Sequence, residues 1–448
     1  MALVSQQPRS NRPSGDAFIP YLRRELLNLC LADGRLADAE KEDFARFSDL
    51  FAAYTHFEFH RESEDFKSQY WCFNPDHNIP ACAKIPADQL EGTADAVVAG
   101  FRSFADRANY REVSKDELQR SFKDSTLVEL STDVDLNDFK RVAMFARGSS
   151  TRKIKVQRMF RKVEVEAEFW DCVILLLHFK EEDHFLTPKH RKKGTRPDLR
   201  FQPGKVYAYH YRDVPKSDLE LLFPNVRISM TKKDKLMMSV PAVGAGAAVM
   251  VKVAGQFVLI LVALALTLGW TWLRDQIDPR GEHEGVRALA ALTAMFTILM
   301  ALGGFAFKQW GTYKNKKNNF LKLVAENLFY RNLATNQSVF SRLLDSAEEE
   351  ECKEAMLVYY HLLANRGNPM TASDLDRTVE SWMRERFGMV FDFDINGPIK
   401  NLTRIQGRNH AGETTALLSV DESGILHIPP LAEALHILDD IWDTAYRF

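Results

Sequence analysis

VAGQFVLILVALALTLGWTWL, residues 253–273, decides how this chain is classed, because it runs for 21 residues without a charged side chain. A bilayer hydrocarbon core about 30 Å thick is crossed by about 20 apolar residues of helix. Gln256 is the only strongly polar residue of the stretch, and Trp270 and Trp272 near its end suit a headgroup interface. RALAALTAMFTILMALGGFAF, residues 287–307, is uncharged after its first residue and is closed by Lys308, with Trp310 and Tyr313 beyond. Two adjacent stretches of spanning length predict a two-helix transmembrane hairpin.

Outward from the two stretches, charge sets the expected orientation. The connecting loop RDQIDPRGEHEG carries four acids against two arginines, whereas Lys232, Lys233 and Lys235 precede the block and Lys308, Lys314, Lys316 and Lys317 follow it. By the positive-inside rule both termini face the cytosol-like side, and a bacterial inner membrane is preferred to a mitochondrial one. Lys252 is the one ionisable residue between Leu236 and Leu273. It reads as a snorkelling lysine at the inner edge of the span, with a pore or headgroup contact as the functional alternative. Lys232, Lys233, Lys235, Lys252, Lys308 and Lys314 are therefore the candidate membrane or lipid contacts. The Gly- and Ala-rich piece before Lys252, with Pro241 inside it, leaves spanning, re-entrant and interfacial placements open.

The rest of the chain reads as soluble α+β material. Residues 1–15 form a flexible tail without an apolar signal region, and 16–135 a helical region in which FNPDHNIP from Phe73 is a loop. Residues 136–212 turn to alternation and β-branching, which predicts an antiparallel sheet in which Glu164, Glu166 and Glu168 mark a solvated face. A juxtamembrane segment follows at 213–235, then the membrane block at 236–310 and linking helices at 311–346. Residues 347–448 predict three helices followed by the hairpin LLSVDESGILHIPPL, a winged-helix-like domain whose second helix Thr371 or Ser373 can cap. The fold class expected is thus an α+β multidomain membrane protein.

Composition narrows function by exclusion. With 59 basic and 61 acidic residues and a net charge of -2, no bulk field draws the chain to nucleic acid, and the third C-terminal helix offers only Lys400 and Arg404 as base readers. The basic runs Arg147 to Lys162 and Lys189 to Arg200 fit either anionic lipid or a solvated strand face and loop. Cys30, Cys72, Cys82, Cys172 and Cys352 lack any paired metal or redox spacing and read as reduced thiols. His178, Asp183, His184 and His190 are weighed as metal ligands, but their spacing matches no familiar set.

Several phrases together resemble the transmembrane-protein-143-like family, a domain of unknown function with bacterial, plant and animal mitochondrial members. They are FIPYLRRELL from Phe18, Tyr70 with FNPD, ANY from Ala108, DF followed by ARG between Asp138 and Gly148, and above all YRDVPKSDLELLFPNVRISMTKKDKL from Tyr211. EAMLVYYHLL and SDLDRTVESWM extend the resemblance towards the C-terminus. Within the central phrase Pro215, Asp218, Leu219, Phe223 and Pro224 are the family-like juxtamembrane residues, with Ser217 or Asp218 able to cap a short helix that Pro224 ends. The resemblance implies an architecture and brings no reaction, ligand or catalytic residue.

No Walker A, HExxH, GxSxG or CxxC motif is present, and no cofactor is expected. The function expected is a two-pass membrane-anchored interaction or regulatory protein without evident catalysis, its partners being the bilayer and an unknown protein held by the C-terminal domain. The alternatives are an oligomeric channel or transport component, built by homo-oligomerisation through small-residue faces, and a cryptic lipid- or nucleotide-active enzyme.

Overall fold

Phe44, Phe47, Phe51, Phe59, Phe66 and Tyr70 recur at helical steps, and all are buried along one stripe of a helix of 33 residues. This helix, α2 (Asp38–Tyr70), follows α1 (Arg23–Ala32) and precedes α3 (Ala87–Arg107), the short α4 (Lys115–Ser121) and the single turn α5 (Glu182–Phe185). The computed structural model describes residues 17–77, 82, 84–122, 131–158, 161–186, 199, 201–229, 331–388 and 392–444, with isolated positions 296, 307, 311, 314, 315, 318 and 322. The described residues fall into two compact units, one comprising Met1–Val128, Val134–Val226 and Tyr330–Phe448, the other Glu129–Asp133 and Arg227–Phe329.

In the first unit the expected sheet is present. It has five antiparallel strands in the order β1 (Arg111–Glu112), β3 (Phe139–Arg158), β4 (Arg161–Phe179), β5 (Val206–Pro215) and β7 (Asn332–Thr335). Alternation sorts its two faces: Ala143, Phe145, Ile174, Leu176, Val206 and Ala208 share a core with Phe66 of α2, Phe101 and Phe104 of α3, and Phe340. Phe66 stacks on Phe340 at 3.9 Å between ring centroids. Beyond Phe169, which opposes Pro215, β4 pairs only with β3, and the two strands continue as a ribbon to Arg158 and Arg161. The basic run predicted around Lys153 lies on this ribbon, where Lys153 opposes Glu166 and ion-pairs with it at 3.7 Å. Apart from those isolated positions, the described part of the second unit is the antiparallel pair of β2 (Ser131–Asp133) with β6 (Arg227–Ser229).

Phe340 opens the long helix α6 (Gln337–Ala364), which serves two cores. Its first turns join the sheet core through Val339, Leu343 and Ala347, and its second half, buried nearly all round, joins a core shared with α1 and α2. After α6 come α7 (Ala372–Phe387) and α8 (Asn396–Arg404), then two hairpins, β8 (Gln406–Arg408) with β9 (Thr414–Ala416) and β10 (Ser419–Val420) with β11 (Leu426–His427), and a closing helix α9 (Leu431–Thr444). The second hairpin is the one read from LLSVDESGILHIPPL; the first and the closing helix were not read from the sequence. These C-terminal elements have no core of their own, since Leu357, Leu375, Leu402 and Leu438 pack in one cluster with Leu26, Phe44 and Phe47.

Two expectations are corrected. Among the described residues no helix is long and apolar enough to cross a membrane, which overturns the transmembrane hairpin in the expected fold class and the two-pass inner-membrane placement. The long described helices have the length but not the composition, since α2 and α6 carry acids and bases along their faces. The runs 253–273 and 287–307 lie outside the described residues apart from Phe296 and Phe307. The cysteines are not all reduced: Cys72 and Cys82 form a disulfide across the loop that begins at FNPD, while Cys30, Cys172 and Cys352 remain thiols.

Candidate functional site

The phrases FIPY, ANY and ARG, far apart in sequence, meet at one buried charged cluster on α6. Lys353 Nζ donates to the Ile19 carbonyl at 2.7 Å and the Tyr21 carbonyl at 3.2 Å, and ion-pairs with Glu350. The other Glu350 oxygen accepts from the Ile19 N–H at 3.1 Å and from Asn109 Nδ2 at 3.1 Å. Asn109, held at a φ of 57° that asparagine tolerates better than most residues, also donates to Glu354 at 2.8 Å. Arg147 lies over the rings of Phe18 and Tyr110 at 3.8 and 4.4 Å, and Gly148 beside it has a φ of 70° with Asp171 occupying the space a Cβ would need. Burial raises the Glu354 carboxyl well above its ordinary value; the Asn109 bond opposes that shift, and Glu350, Asp394 and Glu351 add to it. Glu350, Lys353 and Glu354 are each at most 5 % exposed, so this cluster binds the entering segment 17–22 to α6 rather than an outside molecule.

An open groove lies on the C-terminal side of α6. Thr371 caps α7, its hydroxyl accepting from the Asp374 N–H at 3.3 Å while Asp374 accepts from the Thr371 N–H at 3.2 Å. Asp374, Arg377, Thr378, Ser381, Trp382, Glu385 and Arg386, spaced by threes and fours, put one face of α7 into a cleft of about 780 Å³. Its opposite wall is the turn between α1 and α2, with Asp33 and Arg35, and His361 of α6 also lines it.

Asp33 organises the groove. Its carboxylate accepts from Arg35 Nε at 2.6 Å, from the Tyr360 hydroxyl at 2.6 Å and from Trp382 Nε1 at 3.3 Å, and it ion-pairs with Arg386. Burial alone would raise this carboxyl, but the bonds from Tyr360, Arg35 and Arg386 outweigh it and hold the group below the usual carboxylate range. Two guanidinium groups thus share one carboxylate. His361 is fully buried, between Tyr360 and Trp382, and among the described residues neither of its ring nitrogens has a hydrogen-bond partner. Burial, reinforced by Arg35 and opposed by Asp33, lowers its pKa to about 3, so the ring is neutral and carries one donor and one acceptor.

Other sequence candidates fall elsewhere. His178 is bonded to Arg141 at 3.0 Å and packed edge-on against Phe73, and His184 bonds Asp138 at 3.2 Å. His190 lies outside the described residues, and among those described no group of acids, histidines and cysteines is placed to hold a metal. Lys232, Lys233, Lys235, Lys252 and Lys308 also lie outside them, and Lys314 is an exposed helical residue. In the juxtamembrane phrase Leu219 and Phe223 are core residues, Phe223 packing on Phe122 and Phe139. The segment Lys216–Leu222 is a 3-10 turn whose N-cap position is Pro215, which makes no side-chain cap bond, and it ends before Pro224. A second cavity, of about 440 Å³ between α3 and β3, has an apolar floor, and Arg102, Lys140 and Arg141 on its rim are already paired with carboxylates.

Residues 170–338 match a family model described as protein of unknown function (DUF3754). A domain of unknown function therefore covers the chain from mid β4 to the first turn of α6, and the groove residues lie outside it. No solved structure matches the chain.

Proposed function

We propose that this chain is an interaction or regulatory protein without catalysis of its own, and that it engages a partner protein along α7. The observation that carries the proposal is the groove. One face of α7 lines it from Asp374 to Arg386, about 18 Å at 1.5 Å per residue, which matches about five or six residues of extended peptide. The ring of His361 supplies hydrogen-bonding capacity that no other described residue uses. Kinship with the transmembrane-protein-143-like family belongs to the same proposal; it is supported by FIPY, ANY and ARG meeting at the Glu350 cluster, and it adds no reaction.

Quantitative co-purification of the full chain beside an Arg377→Glu/Ser381→Arg variant tests this reading. Both substitutions fall on exposed positions of α7 and leave its core face intact. A partner retained by the wild-type chain and lost by the variant is the expected result. Identical partners at equal recovery would overturn the proposal.

A further inference from the structure

We infer that the Cys72–Cys82 disulfide is a redox latch: its reduction frees the loop at residues 72–77, which holds β7 and the first turn of α6 against β5. Two bonds tie this loop to the start of β5. Lys205 Nζ donates to the Cys72 carbonyl at 2.8 Å, and the Val206 N–H donates to the Phe73 carbonyl at 2.9 Å. Two more tie it to the entry of α6, where Asn336 Nδ2 donates to Asp76 at 2.7 Å and Asn74 Nδ2 donates to Gln337 at 3.4 Å. Asn336 joins β7 to α6 with a φ of 50° and a ψ of -122°, outside the left-handed well that asparagine tolerates, so its neighbours hold it in a strained backbone. Its remaining bonds run to Ala208 of β5. β7 is a four-residue edge strand paired only with β5, so little else resists once the Asp76 tie is lost.

The bond is placed for exchange. Cys72 and Cys82 are both partly exposed, whereas the thiols of Cys30 and Cys352 are buried. Exchange proceeds by thiolate attack on a disulfide sulfur, and the Lys205 ammonium beside Cys72 favours release of that sulfur as a thiolate. The reductant is a dithiol. The S–S bond breaks, Cys72 and Cys82 take up two electrons and two protons as two S–H groups, and the dithiol closes to its own disulfide.

Hydrogen exchange of the full chain, read by mass spectrometry after minutes in deuterated buffer, tests the latch in the oxidised protein and after dithiothreitol, with alkylation counting the thiols released. The expected result is that Cys72 and Cys82 become alkylated, and that uptake at residues 332–340 speeds about tenfold or more while β3 and β4 stay protected. Cys72→Ser/Cys82→Ser should show the fast rate with and without the dithiol. Asp76→Ala cuts the tie to Asn336 and leaves the disulfide in place, so residues 332–340 should exchange fast in the oxidised form and reduction should add less than about twofold. Wild type is compared with itself, so a variant that fails to fold leaves the test intact. A disulfide that stays closed under dithiothreitol, unchanged uptake at 332–340 on reduction, or β3 and β4 losing protection at the same rate would each overturn the inference, as would an Asp76→Ala chain in which reduction keeps its full effect.

Discussion

Replacing Lys353 by Met should cost this protein about 3–5 kcal/mol, because it breaks a buried ion pair from one side only. The ammonium is 3 % exposed and its partner Glu350 1 %, so the carboxylate left behind has no route to water. The cost is not confined to the pair. Lys353 also holds the carbonyls of Ile19 and Tyr21, and each loses a charge-assisted bond, with about 1–3 kcal/mol at stake for a buried group left unmet. Removing both charges together, as Lys353→Met with Glu350→Leu, should destabilise by less than the sum of the single changes, since neither partner is then stranded. The Ile19 N–H still loses its acceptor in that double variant, so full recovery is not expected. Urea unfolding measures the global term, and protease cleavage near residues 17–22 measures whether this entering segment lifts off α6 first. A single-variant loss below about 1 kcal/mol with unchanged cleavage would refute the idea that this cluster fastens the entering chain.

Other perturbations test neighbouring claims. Glu354 keeps its proton in the folded chain above the pH at which the unfolded chain releases it, so the folded state binds more protons and stability falls as pH rises above about 4.5. Glu354→Gln, which retains an acceptor for Asn109, should therefore be more stable than wild type at pH 8 and show a shallower decline from pH 5 in urea titrations; parallel curves would contradict the raised carboxyl. Gly407 sits where a Cβ would lie 2.7 Å from the Ile437 carbonyl, so Gly407→Ala should cost about 1–3 kcal/mol by pushing α9 off β8, read as a lower urea midpoint. Cys72→Ser/Cys82→Ser opens a covalent loop of separation 10, a loss of about 2–3 kcal/mol in the chain-entropy picture, seen as a lower melting temperature that reductant reproduces in wild type alone.

The sheet and the helices were legible because their signals are local. Alternation around Glu164 to Glu168 gave β4, and the cap at Thr371 gave the start of α7. Gly424, at a φ of 78°, marks the turn before β11 within the predicted hairpin. What was not legible depends on distance along the chain. Nothing near Cys72 announces that Cys82 is its partner, and their spacing resembles no redox or metal motif. Hairpin β8–β9 carries no apolar run, since Gln406, Arg408 and Thr414 are exposed and the gap between the strands is polar. The hairpin read from the apolar runs near residue 260 followed from hydropathy, a signal that reports composition over a window and says nothing of neighbours.

The groove was the least readable feature, for a physical reason. Asp33 and Arg386 are 353 positions apart, and each alone is an ordinary surface charge; only the packing of α1 and α7 against α6 converts them into one shared carboxylate with two cations. The sequence signal available was the polar stripe Arg377, Ser381 and Glu385 on a helix whose core face carries Leu375, Val379 and Met383. Such a stripe is what any surface helix presents. It becomes informative when a neighbouring buried side chain, here His361, has hydrogen-bonding atoms with nothing to meet. The proposed site differs from a solvated face in what lies under it: had His361 been bonded to Asp33, as Tyr360 is, the same α7 stripe would carry no functional reading.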